Sequence, residues 1–288
     1  MWAAICKKLS NKLGTKIEYR SNHSIQGGCI NNTQALKTTH GSYFVKLNSF
    51  EHRAMFEAEA ESLKAIKPSN AIRCPEVILA DEIEGYAVLI LEFIPMQPAL
   101  EDSMEKLGQQ LAMLHKQTDE QFGWHGNNYI GRTPQLNQNN TNWISFFKNR
   151  RLAFQIDLCE KKGLFLSGKD KLLENIESLF GDYCPVPSLL HGDLWGGNIG
   201  FDMDGEPVLF DPACYYGDHE ADLAFTEMFG GFSVTFYDAY QKAFPLHEGY
   251  LYRKSLYNLY HELNHYFLFG GAYGQQAQET ICYLLDVA

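Results

Sequence analysis

The stretch "LLHGDLWGGNIG", Leu189–Gly200, sets His191, Asp193 and Asn198 among glycines and a tryptophan. Two leucines ahead of it read as the end of a buried strand, and the rest reads as a loop. A carboxylate and a carboxamide five residues apart in such a loop suit a holding site. The loop by itself is compatible with a metal, with a phosphate, or with a plain turn, so the residues around it have to choose.

Directly downstream, "EPVLFD" (206–211) is a short apolar strand that ends in Asp211. Asp193, four residues, Asn198, then an apolar strand closing on an aspartate is the spacing of protein-kinase catalytic and metal-binding loops. The chemistry explains the residue types. The triphosphate of ATP is anionic and needs a divalent metal across its oxygens, and hard Mg²⁺ takes carboxylate and amide oxygens. Asn198 and Asp211 supply those, which leaves Asp193 to orient an acceptor hydroxyl and take its proton late in transfer.

Three features upstream fit the same reading. "QGGCINN" (26–32) is a turn between two strand-like runs, "KIEYRSNHSIQ" (16–26) and "QALKTT" (34–39). Its glycines would let backbone N–H groups come close to a phosphate, although on its own such a turn also closes an ordinary hairpin. Lys46 lies within the strand "SYFVKLN" (42–48), where an inward charge needs a partner. Glu59 falls on the apolar stripe of the next helix with Phe56, Leu63 and Ile66. A Lys46–Glu59 pair resolves both oddities and would hold an ammonium against the α and β phosphates.

"YAVLILEFIP" (86–95) is nearly continuous apolar sequence, as expected of a strand buried on both faces. Beyond it the texture turns helical. "MEKLGQQLAMLHKQ" (104–117) puts Leu107, Leu111 and Leu114 on one face, and "TNWISFFKNRRLAFQIDLCEKKG" (141–163) and the segments from Phe225 and Leu251 are further helices. The expected architecture is a protein-kinase-like α+β fold of two lobes, a strand-rich nucleotide lobe over 1–94 and a helical lobe over 95–288.

Composition narrows the partners. At 288 residues the chain can build a full core without disulfide staples. Its seven cysteines show no C-x-x-C pair, which fits reduced thiols in a cytoplasmic protein. A formal net charge of -11 argues against nucleic acid and suits amine-bearing partners. No run has the length of a membrane span, and the start "MWAAICKKLSNKLG" lacks the apolar core of a signal peptide.

Beyond the loop itself, "FDPACYYGDHEADLAFTEMFGGF" (210–232), "NLYHELNHY" (258–266), "GGCIN", "YFVKLN", "MFEAEAESL" and "FGWHGNNYIGRTPQLNQNNTNWISFF" (122–147) resemble the fructosamine kinase (ketosamine-3-kinase) family. The likeness covers nearly the whole chain, and the wider relatives of that family are aminoglycoside and choline kinases. It implies transfer of the γ-phosphoryl of ATP, with Mg²⁺, to the 3-hydroxyl of a ketosamine, free or protein-bound. The product then eliminates phosphate and frees the amine.

The resemblance also implies a phosphate turn of Gly27, Gly28, Cys29, Ile30 and Asn31. It further implies a hinge in which backbone groups of Glu92, Phe93 and Ile94 meet adenine, and a wall of the sugar pocket at Trp195. Asp222 is expected to brace the catalytic loop, and Asp218 and Glu220 to favour the protonated amine of the substrate. Cys29, among phosphate-binding N–H groups, is expected to have a lowered thiol pKa and to make the enzyme sensitive to oxidation. Departures from protein kinases fit a small acceptor: Gly192 replaces the arginine of H-R-D, Trp195 replaces a lysine, and "DPA" replaces D-F-G.

Three rival readings stand beside this one. An aminoglycoside or choline kinase shares the phosphate machinery and differs only in the acceptor. A pseudokinase would be expected to lack some of Lys46, Asp193, Asn198 and Asp211, and all four are present. "HELNH" matches the zinc-hydrolase pattern, with His261 and His265 as ligands and Glu262 as base. No G-x-x-H follows it, and flanking Tyr260 and Tyr266 suit packing inside a lobe, so the match is read as coincidence.

Overall fold

The chain opens with helix α1 (Trp2–Leu13), which buries Ile5, Cys6 and Leu9 and stops at Gly14, a left-handed cap with φ of 67°. Strands β1 (Tyr19–Ser24), β2 (Asn32–Thr38) and β3 (Ser42–Ser49) follow, then helix α2 (Arg53–Ile66) and strands β4 (Val77–Ile83), β5 (Tyr86–Glu92) and β6 (Met96–Gln97). Helix α3 (Ser103–His115) leads to the ribbon of β7 (Asn128–Ile130) and β8 (Thr133–Gln135). Helix α4 (Trp143–Phe146) continues through a π-helical stretch, Phe147–Leu152, into α5 (Ala153–Lys161), and α6 (Lys169–Asn175) comes next. Short strands β9 (Ser188–Leu190), β10 (Ile199–Asp202), β11 (Pro207–Leu209) and β12 (Tyr215–Gly217) precede helices α7 (Glu220–Met228), α8 (Val234–Ala243), α9 (Tyr250–Phe269) and α10 (Tyr273–Val287). This computed structural model describes residues 1–25 and 31–287. The expected phosphate-turn residues Gly27, Gly28, Cys29 and Ile30 therefore lie outside the described residues.

The chain forms two compact units, Met1–Leu107 with Gly197–Pro212, and Gly108–Gly196 with Ala213–Ala288. In the first, an antiparallel sheet has the order β1-β2-β3-β5-β4. The two-residue period of a strand assigns its faces. Tyr43, Val45 and Leu47 of β3, with Val88 and Ile90 of β5, form one apolar cluster with Ile5, Cys6 and Leu9 of α1. Lys46 pairs in register with Leu89 on the opposite face, where α2 brings Glu59. This is why β5 reads as unbroken apolar sequence: each face has its own helix.

The expected boundary between 94 and 95 differs from the observed units, because the chain after β5 stays tied to the first one. Gln97 and Met96 of β6 pair with Phe201 and Asp202 of β10. Ser103 donates its hydroxyl to the Gly205 carbonyl at 2.8 Å, and Lys106 pairs with Glu206 at 2.8 Å.

The second unit is built on helices. Phe225 of α7 and Leu256, Tyr257, Leu259 and Leu263 of α9 are fully or nearly fully buried. The run from α4 to α5 holds Arg151 with no exposed surface, its guanidinium 4.1 Å from the centre of the Tyr215 ring and donating to the Leu136 carbonyl at 2.6 Å. Among the described residues no helix is long and apolar enough to cross a membrane.

Candidate active site

The first unit holds Lys46, Glu59, Asn198 and Asp211, the residues the sequence led one to expect at a phosphate and metal site. Lys46 is 2% exposed. Its ammonium lies 2.8 Å from Glu59 Oε1 and also bonds to Asp211. Burial alone would lower the Lys46 pKa, but the charges of Asp211 and Glu59 outweigh it and hold the ammonium above its ordinary value. Burial pushes Glu59 up to about 7, against the pull of Lys46, and the like charge of Asp211 adds to the rise. One cation is shared by two carboxylates.

Asn198 and Asp211 come together through strand register. In the hairpin of β10 and β11, Ile199 pairs with Leu209, and the Phe210 N–H donates to the Asn198 carbonyl at 2.9 Å. Asn198 and Asp211 thus sit at the same end of one ribbon. Asp211 has a φ of 52°, a left-handed conformation that is uncommon outside glycine and tolerated best by Asn and Asp. Its side chain is 42% exposed.

Asp193 belongs to the second unit, five residues before Asn198 along the chain. Its N–H donates to Nδ1 of His191 at 3.2 Å. The loop that carries it is pinned from behind by Asp222: the His191 N–H reaches Oδ2 at 2.7 Å and the Gly192 N–H reaches Oδ1 at 2.8 Å. This is the brace expected of Asp222. Burial would push its carboxyl up, but the hydrogen bonds from His115 and from the Gly192 N–H hold it below the usual range. Gly192 has a φ of 81°, and a Cβ there would fall on the Ala213 carbonyl. The glycine in the place of the H-R-D arginine is therefore required by the turn itself.

Several expectations need correction or refinement. Asp218 and Glu220 are fully buried. Asp218 accepts from Tyr183 at 2.8 Å and Tyr257 at 2.5 Å, and Glu220 pairs with Arg253 at 2.7 and 2.9 Å. Both carboxylates face interior partners, so they are not available to a substrate amine. At the expected hinge, the Glu92 N–H already donates to the Glu76 carbonyl at 2.8 Å, and the Glu92 side chain pairs with Arg73 at 2.9 Å. Phe93 is half-buried and Ile94 buried. Asn31 accepts from Asn48 at 2.7 Å. Trp195 is 39% exposed, with its ring edge-on to Phe229 at 5.7 Å.

The "HELNH" residues point to separate neighbours. His261 lies flat on Phe225, with ring centres 3.6 Å apart. Nδ1 of His265 meets the His261 carbonyl at 2.7 Å, and Glu262 accepts from Thr280 of α10 at 3.1 Å. Among the described residues no group of His, Cys, Asp and Glu could hold a metal ion in this way.

One contributor escaped the sequence reading. His115, at the end of α3 and fully buried, bonds to Asp222 through Nε2 at 3.1 Å. Its position four residues after Leu111 on the apolar stripe was the available signal.

The Lys46–Glu59 pair, Asn198 and Asp211 on one hairpin, and the braced H-G-D loop match the pattern expected of a phosphotransferase of protein-kinase-like fold. Solved structures carry the same architecture. An aminoglycoside phosphotransferase matches with a TM-score of 0.66 at 15% identity, covering 99% of both chains, and a choline kinase from Streptococcus pneumoniae with 0.64 at 16%, covering 99% of this chain and 98% of that one. The fructosamine kinase family model matches residues 1–287. A "Probable ketoamine kinase" of Synechocystis is 42% identical over 281 residues, 97% of this chain and 95% of its own. "Protein-ribulosamine 3-kinase, chloroplastic" of Arabidopsis thaliana is 42% identical over 265 residues, 90% of this chain and 80% of its own. A crystal structure described as "Putative fructosamine-3-kinase" from Haemophilus somnus superposes with a TM-score of 0.92 at 30% identity, covering 99% and 98% of the two chains. The chain belongs to the fructosamine kinase family, and it is an ATP-dependent kinase with an alcohol group as acceptor.

Proposed function

We propose that this kinase phosphorylates the 3-hydroxyl of ketosamines, fructosamines or ribulosamines, and so releases the parent amine from its sugar adduct. The family match supports the substrate class, and the observation that carries the site assignment is the Lys46 ammonium held between Glu59 and Asp211. Asp193 is the base: it orients the acceptor hydroxyl and takes its proton as the bond to phosphorus forms. Lys46, kept cationic by its two carboxylates, binds phosphate oxygens, and Glu59 fixes its position.

Asn198 and Asp211 fit Mg²⁺, since they present a carboxamide and a half-exposed carboxylate at one end of a single ribbon. When bound there, the metal would neutralise charge on the phosphate oxygens. With a metal there, Asp211 would share its carboxylate between the metal and Lys46. Phosphate at C3 lies beside an enolisable ketone, so it departs by elimination without help from the protein. The described cysteines, Cys6, Cys74, Cys159, Cys184, Cys214 and Cys282, are free thiols, which suits a reducing cytoplasmic setting.

The decisive assay follows ADP release with ATP and Mg²⁺ against fructosyl-lysine, ribulosyl-lysine, choline and an aminoglycoside. Turnover with either ketosamine, lost in Asp193→Asn while ATP still binds, is the expected result. Turnover confined to choline or the aminoglycoside would overturn the substrate assignment. Full activity in Asp193→Asn would overturn the base.

A further inference from the structure

We propose that His115 is a positioning residue for phosphoryl transfer, acting through Asp222 on the backbone that carries Asp193. The inference rests on the reading of Asp193 as the base. Its support is a chain of buried hydrogen bonds whose directions follow for a neutral His115 ring that donates to Asp222.

Asp222 is an acceptor-only carboxylate on which three donors converge: the N–H groups of His191 and Gly192, and Nε2 of His115. With a single proton on its ring, His115 must therefore carry it on Nε2, which leaves Nδ1 to accept. Nδ1 lies 2.7 Å from the Tyr240 hydroxyl, so Tyr240 donates to it. The same hydroxyl oxygen lies 2.9 Å from Nδ1 of His219, and having spent its one proton it must accept there. His219 can take that role as a neutral ring, because burial drives its pKa down to about 3. The sequence His219 to Tyr240 to His115 to Asp222 is a one-way donor chain that ends on the catalytic-loop backbone.

The loop cannot compensate for a displaced Asp222. Gly192 leaves no space towards the Ala213 carbonyl, and the Ala213 N–H is itself bonded to the His191 carbonyl at 2.8 Å. The place of the Asp193 backbone is therefore set by where the two oxygens of Asp222 stand. A histidine suits this position because a rigid ring offers a donor on one edge and an acceptor on the other. Neither asparagine nor glutamine reproduces both. Glutamine places its amide near Nε2 and keeps the contact with Asp222, whereas asparagine places its amide near Nδ1 and loses it.

That difference is the test. In His115→Asn, kcat should fall roughly 10- to 100-fold with KM for ATP near the wild-type value, the cost of misplacing a catalytic group. His115→Gln should recover part of that loss, to about the level of Tyr240→Phe, since both keep the contact with Asp222 and lose the bond at Nδ1. Amide hydrogen exchange of the peptide spanning 189–194 should quicken most in His115→Asn, and less, to similar extents, in His115→Gln and in Tyr240→Phe. Equal kcat in the asparagine and glutamine variants, a loss confined to KM, or unchanged exchange overturns the proposal. If wild-type protein phosphorylates no ketosamine, the functional reading fails, yet the exchange comparison still decides whether His115 holds the loop. Should His115→Asn not fold, Tyr240→Phe read by both measurements decides it.

Discussion

The ammonium of Lys46 on β3 lies 2.8 Å from the carboxylate of Glu59 on α2, thirteen residues further along the chain. Neither residue fits its local pattern, since one puts a charge in a buried strand position and the other a carboxylate on an apolar stripe. Together they form a pair that is 3% and 12% exposed. Buried pairs of this kind contribute little net stability, because desolvation offsets the attraction. The proposed role gives the pair a purpose instead: the ammonium serves Asp211 and would bind a triphosphate.

Replacing Lys46 by methionine should therefore cost more in activity than in folding. We expect kcat/KM for ATP to drop roughly 100- to 1000-fold, the range seen when a single charge-stabilising donor is removed. Glu59 would take up a proton in the variant, limiting the loss of stability. Glu59→Gln keeps a hydrogen-bond acceptor for the ammonium and should lose only on the order of tenfold. Steady-state kinetics with melting curves checks both, and a Lys46→Met protein that unfolds while the remaining folded fraction turns over normally would show the pair to be structural.

Gly192 offers a second test. Its φ of 81° and the carbonyl of Ala213 leave no room for a side chain. Gly192→Ala should lower stability by about 2 kcal/mol or more through left-handed strain and steric conflict. Because the same peptide carries the N–H bound by Asp222, activity should fall further than the unfolded fraction explains. Urea unfolding alongside kcat at a temperature where the variant is folded separates the two.

How much of this was legible depends on the range of the determining contacts. Asp193, Asn198 and Asp211 lie within nineteen residues and sit on loop and strand signals that sequence spacing exposes. Lys46 and Glu59 were legible because each violated its own periodicity. Asp218 and Glu220 were misread because their partners, Tyr257 and Arg253, lie 39 and 33 residues away on α9. Nothing in "GDHEADLA" reveals that those acids turn inward. Strand β4 and helix α1 left weak signals for a similar reason. Most of β4 is only half-buried, and α1 shows three buried side chains among lysines and polar residues.

Glu262 should give the protein a pH-dependent stability unconnected with catalysis. It is 4% exposed, one oxygen accepts from Thr280, and Oε2 has no hydrogen-bond partner among the described residues. Burial pushes its pKa up from 4.5 to about 7, against the hydrogen bond from Thr280. The folded state thus holds this proton more tightly than the unfolded chain. The stabilisation is complete below about pH 4.5, declines as pH rises towards 7, and is gone above it. Glu262→Gln removes the ionisation, so its stability relative to wild type should rise across that window by on the order of 2 kcal/mol. Urea midpoints at pH 5 and pH 8 check it, and parallel wild-type and variant profiles would reject it.

Asp211 combines a backbone role with a chemical one, and three substitutions separate them. At a φ of 52° glycine fits without penalty, asparagine is tolerated, and alanine carries left-handed strain of roughly 1–2 kcal/mol. Melting temperatures should accordingly rank Asp211→Gly and Asp211→Asn above Asp211→Ala. All three remove one partner of Lys46 and the like charge that helps raise Glu59, so the Glu59 pKa should move down from about 7 and the Lys46–Glu59 pair should be the better ionised. None of the three keeps a carboxylate for Mg²⁺, so phosphoryl transfer should be lost in each, whatever its stability. Melting curves read with turnover across a magnesium titration give the answer. A stable Asp211→Gly protein that still shows wild-type dependence on magnesium would remove Asp211 from the metal site and leave it as a backbone device with an ion pair.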